Sequence, residues 1–458
     1  MTSPIPKNAV LVGIQLPKIS TEELESSLQE LGRLVTTLGY KVVGTVSQRR
    51  QSDQTASVLG AGKLRELAEW TGGTGEVASM VNVKLNKAAL KRLKETEETE
   101  SITGEIVDED QTTLTDEERG SAQIVIVDKD LSPSQLRNLE TAVGCPVLDR
   151  TGVIIEIFSR HARTRAARAQ VEIARLKYIA PRMREASIAT ERQGFGARGG
   201  ESQLELDRRK IKDRICELKL ELVSIENEGK TQRARRSQEA CVALVGYTNA
   251  GKSSLMRGMT RSEVLVEDKL FATLDTTIRT LYPETRPKIL ISDTVGFIKK
   301  LPHDLVASFK STLDEALNAS LLLFVVDASD PNFRSQIEVT QSVLDEIGTG
   351  DIPRLTILNK RDALTIDEVA QLREEFPDAI MISALEKEDL KRLRNEILLY
   401  FETDMEDQEI FVPYTANGIV GEIRSKMRVL GESYDEKGVK FQIRAPAALI
   451  SQIRKKLP

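Results

Sequence analysis

A glycine-rich loop directly after an apolar run is the feature that most constrains this chain. The run, residues 242–245, has the length and composition of a buried strand, and a helix-like stretch follows the loop. Backbone N–H groups of such a loop can surround phosphate oxygens, Lys252 adds charge for the β- and γ-phosphates, and Ser253 can ligate Mg²⁺. The sequence therefore predicts a nucleotide-binding α/β domain. The loop consists of Gly246, Tyr247, Thr248, Asn249, Ala250, Gly251, Lys252 and Ser253.

A second polar motif, Asn359-Lys360-Arg361-Asp362, follows another buried-strand pattern at residues 355–358. The Asp362 carboxylate can accept hydrogen bonds from both the ring N–H and the exocyclic amine of guanine. Adenine would leave that carboxylate unpaired, at a cost of roughly 1–3 kcal/mol. Asn359 would face the other edge of the base. The motif therefore indicates guanine rather than adenine.

Three further motifs complete a GTP site, each at the end of an apolar run. In Asp293-Thr294-Val295-Gly296, Asp293 would interact with Mg²⁺ indirectly, through one of the metal's ligands. The Gly296 N–H would lie at the γ-phosphate. Phe271-Ala272-Thr273-Leu274-Asp275 supplies a switch threonine, and Ser383-Ala384-Leu385 offers backbone N–H groups to the guanine carbonyl. Five elements in this order predict GTP and GDP binding.

Composition agrees with a soluble, cytoplasmic protein of several domains. A chain of 458 residues has room for about three domains. The three cysteines show no metal-ligand spacing and indicate a reducing compartment. No apolar stretch reaches the length of about 18 residues needed for a membrane span, and the first residues lack a leader pattern. We expect a monomer when the protein is free.

The chain is predicted to fold as an α/β multidomain protein with four parts. Residues 1–158 alternate strand and helix patterns and form a small α/β domain, in which residues 95–118 hold eleven acidic residues and no basic one. That segment is predicted to be a disordered insertion. Residues 238–403 form the Ras-like P-loop domain with a mostly parallel sheet, and residues 404–458 form a small C-terminal α+β domain.

Residues 159–237 form the remaining part, an antiparallel helical hairpin. Two seams with heptad-like spacing flank a glycine-rich tip at residues 193–200, which is too rich in glycine to continue either helix. Residues 160–236 carry 20 Lys/Arg against 11 Asp/Glu, in a chain whose net charge is −5. Phe195 and Arg198 at the tip can stack and pair on RNA, although a structural strut with a solvated tip is the alternative.

With these motifs in place, the chain resembles the HflX family of translation-associated GTPases over nearly its whole length. Further motifs that carry the resemblance are Asp149-Arg150-Thr151, Arg192-Gln193-Gly194-Phe195-Gly196 and Gln203-Leu204-Glu205-Leu206-Asp207. The resemblance implies a Mg²⁺-dependent GTPase that binds the large ribosomal subunit and splits or rescues stalled or idle ribosomes. It implies Ser253 and Thr273 as Mg²⁺ ligands, Lys252, Thr273 and Gly296 as catalytic residues, and ATP binding near residues 60–63.

Alternatives remain open at this point. In ribosome assembly or rRNA maturation, a subunit precursor would present similar RNA to the hairpin. A signalling switch that binds only proteins is disfavoured by the hairpin's basic charge. Gly60-Ala61-Gly62-Lys63 is either a second anion site or a turn that caps a helix.

The residue after Gly296 bears on the rate of hydrolysis. It is Phe297, which cannot orient a water molecule as glutamine does in Ras-like enzymes. We therefore expect slow intrinsic hydrolysis that is stimulated by the ribosome, by a K⁺ ion held at Asn249, or by both. A local turn hydrogen bond is the alternative role for Asn249.

Overall fold

The computed structural model describes residues 7–52, 55, 57–77, 119–191, 203–236, 239–261, 270–271, 277–299, 315–403, 405–416 and 418–457. The acidic segment 95–118 and the hairpin tip with Phe195 and Arg198 lie outside the described residues. The chain divides into two compact units, residues 1–160 with 172–216, and residues 161–171 with 217–458. The four predicted domain boundaries stay predictions.

The first unit contains a parallel four-stranded sheet in the order β2-β1-β3-β4. Its helix α1 buries apolar residues at helical spacing, including Leu24, Leu31 and Val35. Ser132 caps α3, and Pro133 is its first residue. The elements are β1 Lys7–Gln15, α1 Thr21–Thr37, β2 Tyr40–Arg49, α2 Ala61–Thr71, β3 Ile124–Val127, α3 Pro133–Val143, β4 Val147–Asp149 and α4 Arg150–His161.

The turn at residues 60–63 begins α2. Gly60 is the residue before the helix, and its N–H donates to the side-chain oxygen of Gln48 at 2.8 Å. Lys63 pairs with Glu66 at 2.8 Å. The Gly60 N–H and the Lys63 ammonium therefore already have partners in the protein, which favours the interpretation of this turn as a helix cap.

The Asp149-Arg150-Thr151 motif is the start of α4 and lies mostly inside the protein. Arg150 is 2% exposed and pairs with Asp128 at 2.7 Å and with Glu30. Asp149 accepts from the Tyr178 hydroxyl at 2.6 Å and pairs with Arg182 at 2.7 Å. Burial raises the pKa of the Asp149 carboxyl, against the opposing effect of these contacts. The motif thus joins the end of the sheet to the helix that carries Tyr178.

The hairpin consists of α5, Arg165–Glu191, and α6, Gln203–Arg236. Arg165 pairs with Glu221, and Glu172 pairs with Arg214. Because residue numbers rise along α5 as their partners' numbers fall along α6, the two helices run antiparallel, as the seams predicted. Ala169 and Ile173 of α5 and Leu218 of α6 are buried. Among the described residues, no helix combines the length and the apolar character that crossing a membrane requires.

The second unit contains a six-stranded sheet in the order β10-β9-β8-β5-β7-β6. All neighbouring strands are parallel except β6, which runs antiparallel to β7. This confirms the predicted P-loop domain with a mostly parallel sheet. Its elements are β5 Ala240–Gly246, α7 Lys252–Thr260, β6 Thr277–Thr280, β7 Ile289–Asp293, β8 Leu321–Asp327, α8 Phe333–Ile347, β9 Arg354–Asn359, α9 Ile366–Glu375, β10 Ile380–Met381 and α10 Lys387–Glu402.

The C-terminal part of this unit is an antiparallel three-stranded sheet in the order β11-β13-β12, with its own core around Phe441. Two short helices pack on it, so the predicted α+β domain is present. The elements are β11 Met405–Pro413, α11 Ile419–Lys426, β12 Arg428–Asp435, β13 Gly438–Pro446 and α12 Ala447–Lys456.

Candidate functional site

The glycine-rich loop joins the carboxyl end of β5 to the start of α7, as its sequence context predicted. Gly251 precedes the helix with φ +93°, a conformation that disfavours side chains. A Cβ at residue 251 would also lie 2.1 Å from Nδ2 of Asn359. The loop therefore needs glycine at this position for two reasons, its backbone conformation and the close approach of the guanine motif.

Lys252 is buried inside the loop. Its Nζ donates to the carbonyl oxygens of Gly246 at 3.0 Å and Tyr247 at 2.6 Å. Burial lowers the pKa of Lys252 to about 8, although the nearby Asp293 carboxylate acts in the opposite direction. The ammonium group is thus held beside the loop. The negative charge of bound phosphates would stabilise it there.

Ser253 and Asp293 lie side by side at the start of α7 and the end of β7. The Ser253 hydroxyl donates to the Asp293 carboxylate at 2.7 Å, and Asp293 is fully buried. A hydroxyl and a carboxylate beside a phosphate-binding loop are hard oxygen donors, which are the ligands Mg²⁺ prefers. The donor set fits the predicted magnesium site. Thr273, predicted as the second protein ligand, lies outside the described residues.

The segment after Asp293 is attached to the phosphate-binding loop. Thr294 donates from its hydroxyl to the Leu244 carbonyl at 2.7 Å. Thr248 N–H donates to the Phe297 carbonyl at 2.8 Å. Between these two contacts, a Cβ at Gly296 would lie 2.8 Å from Cα of Thr248 and 3.0 Å from Nζ of Lys252. Gly296 is therefore placed beside the lysine, as the γ-phosphate prediction requires.

The guanine motif is attached to the same loop through Asn359. The Asn359 side chain donates to the Ala250 carbonyl at 2.8 Å and accepts from the Ala384 N–H at 3.0 Å. It is 1% exposed. Asn359 thus joins three of the predicted motifs in one place: the phosphate-binding loop, its own motif, and the loop at residues 383–385.

Two carboxylates that the sequence analysis did not include hold this region together. Asp389 accepts from the Ser383 N–H at 2.7 Å and pairs with Arg361 at 3.0 Å. Asp327 pairs with Lys360 at 2.7 Å. Asp327 ends β8 next to the end of β9, so its position at a strand end was a usable signal, and Asp389 lies in the first turn of α10.

The remaining predicted residues are placed as follows. Asp362 is exposed in the short turn after β9, where a base could reach it, and Leu385 is 75% exposed. Val295 and Phe271 are buried. The rest of the first switch segment, residues 272–275, lies outside the described residues. The structure therefore brings the phosphate loop, Asp293, Gly296 and the guanine motif together at the carboxyl edge of one sheet.

Comparison with known proteins agrees with this arrangement. Three family models match successive parts of the chain: a GTP-binding GTPase N-terminal model at residues 25–114 and 74–159, a GTP-binding GTPase middle region at 161–236, and a 50S ribosome-binding GTPase model at 241–360. The middle-region model falls on the helical hairpin, and the third model includes the phosphate-binding loop and Asn359.

Full-length relatives decide the family. The GTPase HflX of Gluconacetobacter diazotrophicus is 56% identical over 99% of this chain and 98% of its own length. The chain belongs to the HflX family of GTPases. A second HflX, from Caldanaerobacter subterraneus subsp. tengcongensis, is 35% identical over 98% of this chain and 93% of its own length. Membership in the HflX family confirms the predicted resemblance, and the protein is a P-loop enzyme that hydrolyses GTP.

Among solved structures, a GTP-binding protein from Sulfolobus solfataricus in complex with GDP is 26% identical. The match covers 86% of this chain and 98% of that chain, with a TM-score of 0.42.

Proposed function

We propose that this HflX-family GTPase binds the large ribosomal subunit through its helical hairpin and hydrolyses GTP there, splitting or rescuing stalled or idle ribosomes. The observation that carries the proposal is a basic antiparallel hairpin in the same chain as a guanine-nucleotide site. The match of residues 241–360 to a 50S ribosome-binding GTPase model supports it.

The hairpin's charge fits an RNA surface. Arg209, Lys210 and Lys212 are exposed on α6, and Arg163 and Arg168 are exposed at the start of the hairpin. Exposed arginine and lysine side chains can neutralise RNA phosphates and release their counterions, which gives affinity without sequence preference. The tip with Phe195 and Arg198 would add base stacking and pairing.

GTP would be bound together with Mg²⁺ and hydrolysed at the nucleotide site. Lys252 and the loop amides would hold the β- and γ-phosphates, Ser253 and Thr273 would ligate Mg²⁺, and the metal would neutralise charge that develops on the phosphates. The Phe297 side chain has no hydrogen-bonding group and is 3% exposed, so it cannot orient the attacking water. Stimulation would therefore come from switch residues ordered by the ribosome.

A K⁺ ion at Asn249 would be a second source of stimulation. Asn249 is exposed and adopts φ +61°. An exposed amide oxygen beside the β- and γ-phosphates could bind a monovalent cation that offsets negative charge in the transition state. Equal hydrolysis rates in K⁺ and Na⁺ at matched ionic strength would remove this part of the proposal.

Ribosome binding implies a cytoplasmic location, and we infer a monomer when the protein is free. We do not extend the proposal to ATP, because Gly60 and Lys63 are engaged by Gln48 and Glu66.

The test is GTP turnover by the full-length chain with and without mature large subunits, together with sedimentation of intact ribosomes to detect splitting. A hairpin variant combines the charge reversals Arg209→Glu, Lys210→Glu and Lys212→Glu. A matched control reverses three exposed charges outside the hairpin, Arg354→Glu, Arg373→Glu and Arg392→Glu.

We expect mature subunits to stimulate turnover of the wild type and the control. The hairpin variant should need more subunits for the same rate and should show a shallower salt dependence. Stimulation only by immature subunits would favour the alternative role in ribosome assembly. No stimulation by either, with GTP bound, would contradict the proposal.

A further inference from the structure

Tyr247 joins the phosphate-binding loop to the segment that follows Gly296. Its side chain is 5% exposed, and its hydroxyl accepts a hydrogen bond from the Lys299 N–H at 2.7 Å. Its backbone forms a parallel bridge with Phe297, in which Phe297 N–H donates to the Gly246 carbonyl at 3.1 Å and Thr248 N–H donates to the Phe297 carbonyl at 2.8 Å. One side chain and two backbone contacts thus fix residues 297–299 against the loop.

These contacts determine where the Gly296 amide lies. On one side of Gly296, Thr294 is attached to β5 through the Leu244 carbonyl. On the other side, Phe297 and Lys299 are attached to the loop residues Gly246 and Tyr247. A Cβ at Gly296 would lie 2.8 Å from Cα of Thr248 and 3.0 Å from Nζ of Lys252, so the glycine lies next to both residues. A shift of residues 297–299 away from the loop would therefore move the Gly296 N–H away from Lys252.

We propose that the Tyr247 hydroxyl is a positioning group for the γ-phosphate: it holds the segment at residues 296–299 so that the Gly296 N–H faces that phosphate. This inference rests on the proposed placement of the γ-phosphate between Lys252 and Gly296. GDP has no γ-phosphate, so it gains nothing from a well-placed Gly296. The hydroxyl therefore contributes to the preference for GTP over GDP.

The ring and the hydroxyl of Tyr247 have separable roles. Tyr247→Phe keeps the buried ring and the backbone bridge, and it removes the hydroxyl that accepts from the Lys299 N–H. A single hydrogen bond of this kind contributes modestly, so we expect the ratio of GTP to GDP affinity to fall about fivefold. Affinity for GDP should change much less than affinity for GTP.

The experiment measures affinities for GDP and for β,γ-imido-GTP, both with Mg²⁺, in the full-length chain. The matched control is Tyr282→Phe, because the Tyr282 hydroxyl also accepts a hydrogen bond, from Arg261 at 3.0 Å, but lies outside the nucleotide site. Gly296→Ala serves as a reference, since its Cβ would meet Thr248 and Lys252. Thermal unfolding with GDP verifies that each variant is folded.

The expected result is a fall in the affinity ratio for Tyr247→Phe and no change for Tyr282→Phe. An unchanged ratio in Tyr247→Phe, or equal losses for both nucleotides, overturns the proposal. The reference variant then separates two failures. If Gly296→Ala lowers the ratio, only the role of Tyr247 is wrong, and if it does not, the γ-phosphate placement is wrong as well.

Discussion

The Asn359 side chain bridges the Ala250 carbonyl and the Ala384 N–H, at 2.8 Å and 3.0 Å. The side-chain nitrogen and the side-chain oxygen of this buried residue therefore both form hydrogen bonds within the protein. Asp362, in the same motif, is exposed and available to a ligand. Asn359 thus joins the loop at residues 383–385 to the phosphate-binding loop, and Asp362 is the residue that we propose contacts the base.

This division predicts a change of base preference in Asp362→Asn. The carboxylate that would accept from two guanine donors becomes an amide that can accept from only one, so GTP affinity should fall about tenfold or more. The new amide N–H can donate to the C2 carbonyl of xanthine, so XTP should bind better than in the wild type. Competition titrations with GTP and XTP measure both effects. Asp367→Asn, at an exposed carboxylate on α9, is the control, and an unaltered GTP:XTP preference in Asp362→Asn would contradict the assignment.

Ser253→Ala should remove the Mg²⁺-dependent part of nucleotide binding. The Ser253 hydroxyl donates to Asp293 in this structure, and we assign it as a Mg²⁺ ligand. GTP hydrolysis with Mg²⁺ should fall at least about tenfold because charge on the phosphates is less well neutralised. Affinity measured in the presence of a chelator should change little. Ser254→Ala, at the neighbouring position of the same helix, should behave as wild type, and equal behaviour of the two variants would count against Ser253 as a ligand.

The sequence predicted these site residues because the phosphate-binding loop, Asp293 and Asn359 each lie at the carboxyl end of a strand in one mostly parallel sheet. The carboxyl ends of β5, β7 and β9 meet at one edge, which brings Lys252, Asp293 and Asn359 together. Periodicity also predicted both hairpin helices, since the seam is a local property of each helix.

The contacts between motifs were not predictable from local patterns. Tyr247 and Lys299 are 52 residues apart in sequence, and their hydrogen bond depends on how the segment after β7 turns towards the loop. Lys360 and Asp327 meet only because β8 and β9 are neighbours in the sheet. The pairing of Arg165 with Glu221 depends on the number of residues in the hairpin tip, which heptad spacing does not define.

The lowered pKa of Lys252, about 8 in the nucleotide-free protein, predicts proton uptake when a nucleotide binds. Bound phosphate favours the charged amine, so at pH 8 binding should take up about half a proton. Affinity should fall as pH rises above about 8, because more lysine must then be protonated. Calorimetry of GDP binding in two buffers of different ionisation enthalpy measures the uptake. Heats that do not depend on the buffer at pH 8 would show that Lys252 is already charged.

The lowered pKa of Lys252 gives folding stability the opposite pH dependence to nucleotide affinity. The unfolded chain keeps Lys252 protonated up to its ordinary pKa near 10.5, whereas the folded chain releases the proton near pH 8. The unfolded state therefore binds more protons between these values, and this lysine's contribution to nucleotide-free stability rises with pH across that window. Denaturant unfolding at pH 8 and pH 9.5, without nucleotide, would detect the sign.

Arg150→Met should destabilise the N-terminal sheet strongly. The side chain is 2% exposed and pairs with both Asp128 and Glu30, so its loss removes the buried positive charge that these two carboxylates share. Breaking a buried ion pair in this way costs about 3–5 kcal/mol. Hydrogen exchange at β3 and β4 in the full-length chain should speed up accordingly, because local opening reports this free energy. Arg334→Met is the matched control, since Arg334 pairs with Glu375 on the surface at 2.6 Å, where solvent screens the charges and the loss should be small. If the two variants exchange at the same rate in β3 and β4, the buried network does not stabilise the sheet.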